Sequence, residues 1–390
     1  MPDYRSRQIQ GYLTNMLFLR NNFLFFIFAS LISLPGQAKT FIAQGSDLLM
    51  GTGPQAIGVA GAVTANISGI YASYWNPAGL IEQTHHEVSI SRQTGSTLEP
   101  ISFIGISGTY LPDLFPKTKF AYALAWLPRL HVSADGVFEE DSFEALFLRF
   151  ALPKIPNDFE GHTQSKTRDF RFSLAVSPAV APNFSIGVTA AYIRCVSNFC
   201  GSKLNDPESH YSADTDASAI AVNLGLQYQL SDQIKFGANI KDINTTLKVK
   251  SVIEQDGIKR NEIFYSEFPH DLSFGAYWKA LPNLDLSSDY QLLLGDYGGY
   301  NIDIQLWRTG LDYKYRHFNF RLGILVPTKL RTGSSKNIRQ DMPAPFLPTT
   351  GIGWRNDFFS IDTSVYPHAI LSYQQQTIRL VAESSIRVFF

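Results

Sequence analysis

The chain has 390 residues, a formal net charge of −1, 17% charged residues and 13% aromatic residues. An ordinary soluble domain has about 25% charged residues, so this composition favours a protein that exposes apolar surface. The near-zero net charge argues against nucleic acid as a partner, because binding to phosphates needs a surplus of basic side chains.

The first predicted element is a secretory signal. Residues 23–34 form an apolar run, FLFFIFASLISL, which Arg5, Arg7 and Arg20 precede and which Gly36 and Ala38 follow. Small residues at these two positions are typical of a cleavage site after residue 38. The run is also too short for a helix that spans a bilayer, which needs about 20 residues. We therefore expect residues 1–38 to be removed on export; an uncleaved anchor is the alternative.

A glycine-rich segment follows the signal and contains two short motifs. Residues 39–85 do not alternate between apolar and polar positions, and they contain a run of small residues, IGVAGA, followed by YWNPAGL. A proline fixes a turn and disfavours helix at the residue before it, and an asparagine at such a turn bonds the backbone on either side. The motif residues are Gly58, Gly61, Trp75, Asn76, Pro77, Ala78 and Gly79.

Apolar side chains then alternate with small or polar ones to the end of the chain. In residues 120–126, Phe120, Tyr122, Leu124 and Trp126 share one face and three alanines share the other. Period-two alternation predicts strands with one apolar face. The other candidate strands lie near residues 86–93, 101–110, 170–177, 184–194, 219–230, 234–242, 271–279, 284–293, 302–315, 318–326, 350–355, 359–366 and 377–390. The total of about fourteen is even, as in bacterial membrane barrels.

The predicted connections are mostly long and short in turn. The long ones include residues 128–166, 195–216 and 243–270, whereas residues 231–233 and 316–317 are short. Outer-membrane barrels have long external loops and short periplasmic turns. A soluble β-sandwich also has alternating strands, but it does not predict this difference between the two ends. We therefore predict an all-β fold: an antiparallel transmembrane β-barrel of about 14 strands in the outer membrane of a diderm bacterium.

The two motifs, and their place between a signal and a barrel pattern, resemble the N-terminal region of the FadL long-chain fatty-acid transporter family and its PorV-type relatives. The resemblance implies that residues 39–85 form a hatch inside the lumen and that residues 86–390 form the barrel wall. It also implies uptake of hydrophobic small molecules such as long-chain fatty acids, which leave sideways into the bilayer when the hatch moves. The Asn-Pro-Ala motif then gates this movement, caps a hatch helix, or does both.

The longest predicted external loop carries an apolar helical pattern. Residues 141–152 read DSFEALFLRFAL, and their large apolar side chains recur at helical spacing. Such a helix offers a landing surface for an apolar ligand, unless its apolar side packs on the barrel rim instead. The residues concerned are Phe143, Leu146, Phe147 and Phe150.

The two cysteines, Cys195 and Cys200, lie in a predicted loop. In an oxidising compartment we expect them to form a disulfide, with two free thiols as the alternative. Their spacing does not fit a zinc site, which needs further ligands nearby.

Three polar residues share one face of the predicted strand 284–293: Asp285, Asp289 and Gln291. We expect this face to line the lumen, where such groups serve solvation or bonds to the hatch.

The sequence contains no catalytic, metal or cofactor motif, so we predict a protein that is not an enzyme and needs no cofactor. The expected partners are membrane lipid, a hydrophobic small-molecule ligand, and the outer-membrane assembly machinery, which would recognise the last strand ending at Phe390. Two alternatives to a transporter stay open at this point. One is a PorV-like barrel component of a protein-secretion system, and the other is a surface-exposed structural barrel without transport.

Overall fold

The computed structural model describes residues 38–46, 49–94, 99–112, 117–138, 159–297, 300–334, 339–341, 346–368 and 378–390. The strands are β1 (Ala38–Gln44), β2 (Glu87–Gln93), β3 (Ile101–Tyr110), β4 (Lys119–Phe138), β5 (Phe159–Ser177), β6 (Phe184–Lys203), β7 (Asp206–Gln229), β8 (Ile234–Ile243), β9 (Thr246–Gln255), β10 (Ile258–Glu267), β11 (His270–Leu281), β12 (Leu284–Tyr297), β13 (Tyr300–Tyr315), β14 (Phe318–Ser334), β15 (Arg339–Asp341), β16 (Leu347–Arg355), β17 (Phe359–Pro367) and β18 (Leu380–Phe389). Two short helices, α1 (Pro54–Gly58) and α2 (Ala72–Trp75), precede a 3-10 helix (Pro77–Glu82). Among the described helices, none is long and apolar enough to cross a membrane.

Fourteen of the strands form a closed antiparallel barrel, which confirms the predicted fold class. The ring runs from β2 to β8, from β11 to β14 and from β16 to β18, and β18 pairs with β2. At the same seam His86 and Phe390 exchange two backbone hydrogen bonds, of 3.1 and 3.0 Å. The first and last wall strands are therefore joined along their length, and no edge of the ring is left open there.

The side chains of each wall strand point alternately outward and into the bore. On β5, Phe170, Phe172 and Leu174 are about half exposed, whereas Arg171 and Ser173 between them are buried. The same alternation follows β6 from residue 185 to residue 200. Outward rows this apolar are suited to hydrocarbon rather than water, and the inward rows are small or polar, as the sequence predicts.

Several strands extend beyond their predicted limits at one end of the barrel. We call the end at which β4 ends and β5 begins the loop end, and the opposite end the turn end. Residues 195–216, predicted as a loop, belong mainly to β6 and β7, and residues 243–270 contain the β9–β10 hairpin. The hairpin turns at Asp256-Gly257, where both φ angles are positive, 51° and 80°, as an Asp-Gly hairpin turn requires. The outward side chains of these extensions are not continuously apolar. The strands therefore continue, by their backbone hydrogen bonds, beyond the last residue at which the sequence alternates between apolar and polar side chains.

The N-terminal strand β1 belongs to the wall only at the loop end. It pairs with β4 from Ala38↔Gly136 to Gln44↔His131. The chain then turns inward at Gly45, whose φ of +133° favours glycine, and the amide of Ser46 donates to the carbonyl of Pro128 at 3.2 Å. From there the chain enters the bore.

Candidate functional site

Residues 49–83, which we call the lumen segment, lie inside the bore and are almost entirely buried. Inward side chains from around the ring bind its backbone. Asp289 of β12 accepts hydrogen bonds from the amides of Val63 (2.9 Å) and Thr64 (2.8 Å). Further wall residues that bind the segment are Glu87, Arg171, Asn239, Arg308, Thr349 and Glu383. These partners stand on strands all around the barrel, so the segment is bonded to the wall on every side.

Inward-facing glycines let the lumen segment touch the wall backbone. A Cβ atom at Gly225 of β7 would overlap the Oδ1 atom of Asn76, and one at Gly187 of β6 would overlap the backbone of Pro77. The other wall glycines against the segment include Gly105, Gly237, Gly275, Gly310, Gly323 and Gly351. Glycine at such positions permits a close backbone approach that any side chain would prevent.

The two glycines of the IGVAGA run make close contacts with the wall and with the rest of the segment. A Cβ atom at Gly58 would lie 3.1 Å from the Cβ atom of Arg321 and 3.3 Å from the Cα atom of Gly351, both in the wall. Gly61 has a φ of +75°, and a Cβ atom there would lie 2.6 Å from the Trp75 ring. The small residues therefore serve close packing, one against the wall and one within the segment.

Asn76 connects the lumen segment to itself and to the wall. Its Oδ1 atom accepts from the amide of Ala78 at 3.2 Å and so caps the 3-10 helix that begins at Pro77. Its Nδ2 atom donates to the carbonyl of Thr64 at 2.7 Å and to the carbonyl of Leu226 in β7 at 3.0 Å. The capping function is thus present, and the bond to Leu226 adds a direct contact with the barrel.

The neighbours of Asn76 in the motif hold the turns of the segment together. The indole Nε1 of Trp75 donates to the carbonyl of Thr52 at 2.8 Å. A Cβ atom at Gly79 would overlap the carbonyl of Ile67, so two passes of the backbone lie in contact there.

A layer of buried ion pairs lies in the bore on the loop-end side of the lumen segment. The three pairs are Arg129–Asp242 at 2.7 Å, Arg171–Asp169 at 2.7 Å and Lys241–Asp271 at 2.9 Å. We call this set the ionic layer. Arg129 and Asp242 stand on β4 and β8, which are not neighbours in the ring. Their contact therefore bridges part of the bore rather than two adjacent strands.

The ionic layer rests on helix α2 of the lumen segment. The Nζ atom of Lys241 lies 4.4 Å from the centre of the Tyr74 ring, and the Arg171 guanidinium lies 5.1 Å from it. Arg171 also donates to the carbonyl of Ser73 at 3.2 Å. Cation–π contacts of this kind stabilise desolvated cations. Any movement of α2 would therefore disturb the ionic layer as well.

Beyond the ionic layer, the loop end of the bore contains an apolar cluster beside inward hydroxyl side chains such as Ser165 and Ser197. Inward aromatic side chains of four consecutive wall strands form a continuous row. Phe159 lies 5.0 Å from Phe138 and 4.6 Å from Phe199, and Phe199 lies 5.6 Å from Tyr211, measured between ring centroids. Alanine and aliphatic side chains of β1, β4, β7 and β9 complete this set, which we call the aromatic cluster. Its members are buried and pack against one another, and sequence reasoning missed them because isolated aromatic residues in polar strand ends give no periodic signal.

The wall is irregular between the ionic layer and the aromatic cluster. The β3–β4 ladder ends at Ile104↔Trp126, and the β1–β4 ladder begins only at His131. Between them the β4–β5 register shifts, so that Arg129 is an extra residue on β4. On the outer face beside this bulge lies an apolar groove of about 710 Å³, lined by Ile104, Leu124, Trp126, Phe170, Phe172 and Tyr192 among others.

Three solved structures resemble the described fold. The Ralstonia pickettii toluene transporter TbuX has a TM-score of 0.57 and 15% identity over 88% of this chain and 99% of its own. The CymD monoaromatic hydrocarbon channel has a TM-score of 0.56 and 15% identity over 88% and 98%. A Pseudomonas aeruginosa FadL homologue has a TM-score of 0.57 and 12% identity over 91% and 99%. The chain has the FadL-type fold. No family model and no curated protein matches the sequence.

One predicted contact in this FadL-type barrel is wrong. Cys195 and Cys200 both lie on β6, with Cys195 buried and facing the bore and Cys200 exposed on the outer face; both are free. Five residues of extended strand span about 16 Å, whereas a disulfide needs Cα atoms within about 7 Å. The prediction failed because the strand continues through residues that we expected to form a loop.

The remaining predicted residues of the FadL-type barrel divide into two groups. Asp285, Asp289 and Gln291 face the lumen as predicted, and Asp289 binds the lumen segment. The predicted signal and the apolar helix with Phe143, Leu146, Phe147 and Phe150 lie outside the described residues, apart from Ala38 at the start of β1.

Proposed function

We propose that this chain is an outer-membrane channel that takes up hydrophobic small molecules and has no catalytic activity. The observation that carries the proposal is the aromatic cluster, a set of buried aromatic and aliphatic side chains that face the bore at the loop end. An apolar ligand that inserts among such side chains gains free energy by leaving water. The similar structures named above are described as transporters and channels for toluene and monoaromatic hydrocarbons and as a FadL homologue.

In this proposal the lumen segment acts as the hatch. A ligand on the aromatic cluster meets the ionic layer and then the lumen segment, and both are tightly bonded to the wall. An apolar molecule that passed straight through would also enter water again. A sideways exit into the bilayer avoids that cost, and residues 127–130 of β4 offer the place for it, because no ladder joins β3 or β1 to the strand there.

Small movements of the lumen segment would connect the aromatic cluster with the apolar groove on the outer face. Ser46 is bonded to the carbonyl of Pro128 directly beside the bulge, so the chain that leads into the segment lies in the proposed exit. Displacement of this stretch would join the aromatic cluster to the apolar groove on the outer face. The segment would then open the exit without opening the whole bore to water.

The experiment that tests the function is uptake by a diderm host that lacks its own barrels for hydrophobic compounds. Cells that produce this chain should accumulate radiolabelled toluene or dodecane faster than cells that produce an unrelated barrel of the same strand number. Equal rates for every hydrophobic compound tested would overturn the proposal. Equal rates together with loss of secreted proteins from a deletion strain would instead support a secretion component.

A further inference from the structure

The buried basic side chains of the bore are already engaged. In the described parts of the chain six such residues are buried: Arg129, Arg171, Lys241, Arg308, Arg321 and Arg387. Three of them form the ionic layer, each paired with a carboxylate, and Arg129 also lies 3.8 Å from Asp169, the partner of Arg171. Arg321 pairs with Asp312 at 3.1 Å and with Asp362 at 2.8 Å. These four cations are therefore each paired with a carboxylate of the protein itself.

The other two cations are engaged by the lumen segment or by the seam of the barrel. Arg308 donates to the carbonyl of Ala60 at 2.8 Å and, through Nε, to Oε1 of Gln291 at 3.0 Å. Arg387 lies 3.7 Å from Glu87, beside the seam between β18 and β2. A ligand that took either group as its partner would have to displace part of the hatch or of the wall.

This arrangement matters for a ligand that carries a carboxylate. An ion that leaves water for a buried site costs several kcal/mol unless a partner of opposite charge receives it. The aromatic cluster contains apolar residues and the Tyr211 phenol. A carboxylate that reached the ionic layer could bind Arg129 or Lys241 only by separating it from Asp242 or Asp271. An uncharged hydrocarbon of the same shape meets no such cost.

We infer that this channel takes uncharged hydrophobic molecules, such as aromatic hydrocarbons or alkanes, and discriminates against hydrophobic acids, including long-chain fatty acids. The inference rests on the proposed function and narrows its substrate class. The ionic layer is then a filter as well as a support for α2: its balanced charges leave a neutral ligand unaffected and give a carboxylate no vacant cation.

The test uses pairs of ligands that differ in a carboxylate: toluene with benzoate, and dodecane with dodecanoate. Binding of each radiolabelled compound to the full-length protein in nanodiscs is measured at neutral pH, where these acids are ionised, with empty nanodiscs subtracted. We expect the wild type to bind each hydrocarbon at least about tenfold more tightly than its acid, since an unmade charge-assisted hydrogen bond costs about this factor. Equal affinities, or tighter binding of the acids, would overturn the inference but leave the proposed function standing. If neither class binds, the proposed function itself fails.

Two variants test the role of the ionic layer directly. Asp271→Asn should leave Lys241 without its carboxylate, and Asp242→Asn should leave Arg129 with the more distant carboxylate of Asp169, at 3.8 Å. Each should raise the affinity for dodecanoate about tenfold and leave that for dodecane unchanged. The control is Asp216→Asn, which frees Arg194 on the outer surface, where both side chains are half-exposed. An unchanged dodecanoate affinity in both folded lumen variants, or an equal gain in the control, would contradict the filter.

Discussion

Replacing Asn76 by alanine tests how firmly the lumen segment is attached to the wall. The change removes two donated hydrogen bonds, to the carbonyls of Thr64 and Leu226, and the cap on the amide of Ala78. Each contributes about 1 kcal/mol net, so release of the segment becomes easier by about 3 kcal/mol. Hydrogen exchange of the amides in residues 58–82 should then speed up about a hundredfold, with the wall strands unaffected.

The matched control for this experiment is Asn66→Ala. Asn66 lies in the same segment, but its Oδ1 atom accepts no hydrogen bond within the described part of the chain, so exchange should change little. Mass spectrometry of both variants in nanodiscs gives the comparison. If exchange in Asn76→Ala is no faster than in the control, Asn76 does not attach the segment. If exchange accelerates but toluene uptake stays at the wild-type rate, the motif is structural and does not gate.

Three further outcomes are expected. Gly225→Val should displace the segment at Asn76, at a cost of about 1–3 kcal/mol from overpacking, and should raise the leakage of small sugars from proteoliposomes. A maleimide should label Cys200 in the folded protein and spare Cys195, since only Cys200 is exposed; mass spectrometry of peptides shows which thiol reacts. Phe159→Ala should weaken toluene binding about tenfold, because it removes apolar surface at the centre of the aromatic cluster.

Each of these outcomes has a control and a contrary result. Ala190→Val adds bulk on the outer face of β6 and should not cause leakage; equal leakage would mean that the segment does not block the bore. Both thiols should react after denaturation. If neither thiol reacts in the denatured protein, the two cysteines form a disulfide after all. Phe274→Ala removes the same side chain from the outer face of β11, away from the apolar groove. If it weakens binding as much as Phe159→Ala, the aromatic cluster is not the binding surface.

The barrel was predictable from sequence where lipid imposes a one-sided pattern. Phe120, Leu124 and their alanine neighbours show it clearly, because the outward face must be apolar and the inward face must be small. The ends of β6 and β7 do not show it, since residues outside the lipid-facing belt have no single apolar face. The β9–β10 hairpin was missed even though Asp256-Gly257 is a hairpin signal, because the flanking strands are rich in charge.

The site was predictable only in part. The motif placed Asn76 in the lumen segment, and the strand pattern placed Asp289 on the inner face, but their partners lie 150 and more than 220 residues away in sequence. The Arg129–Asp242 pair depends on an extra residue in β4 and on the curvature of the barrel. Contacts across a bore form only when the ring closes, so the sequence of a single strand does not predict them.

The most direct test of the central claim is mass spectrometry of small molecules that remain bound to the purified protein. Cells grown with a mixture of toluene, dodecane and dodecanoate supply the ligands, and Phe159→Ala protein serves as the comparison. We predict that the wild type retains the uncharged compounds and that the variant retains less. Wild-type protein that carries no apolar molecule, or as much dodecanoate as dodecane, would contradict a bore that selects uncharged hydrophobic ligands.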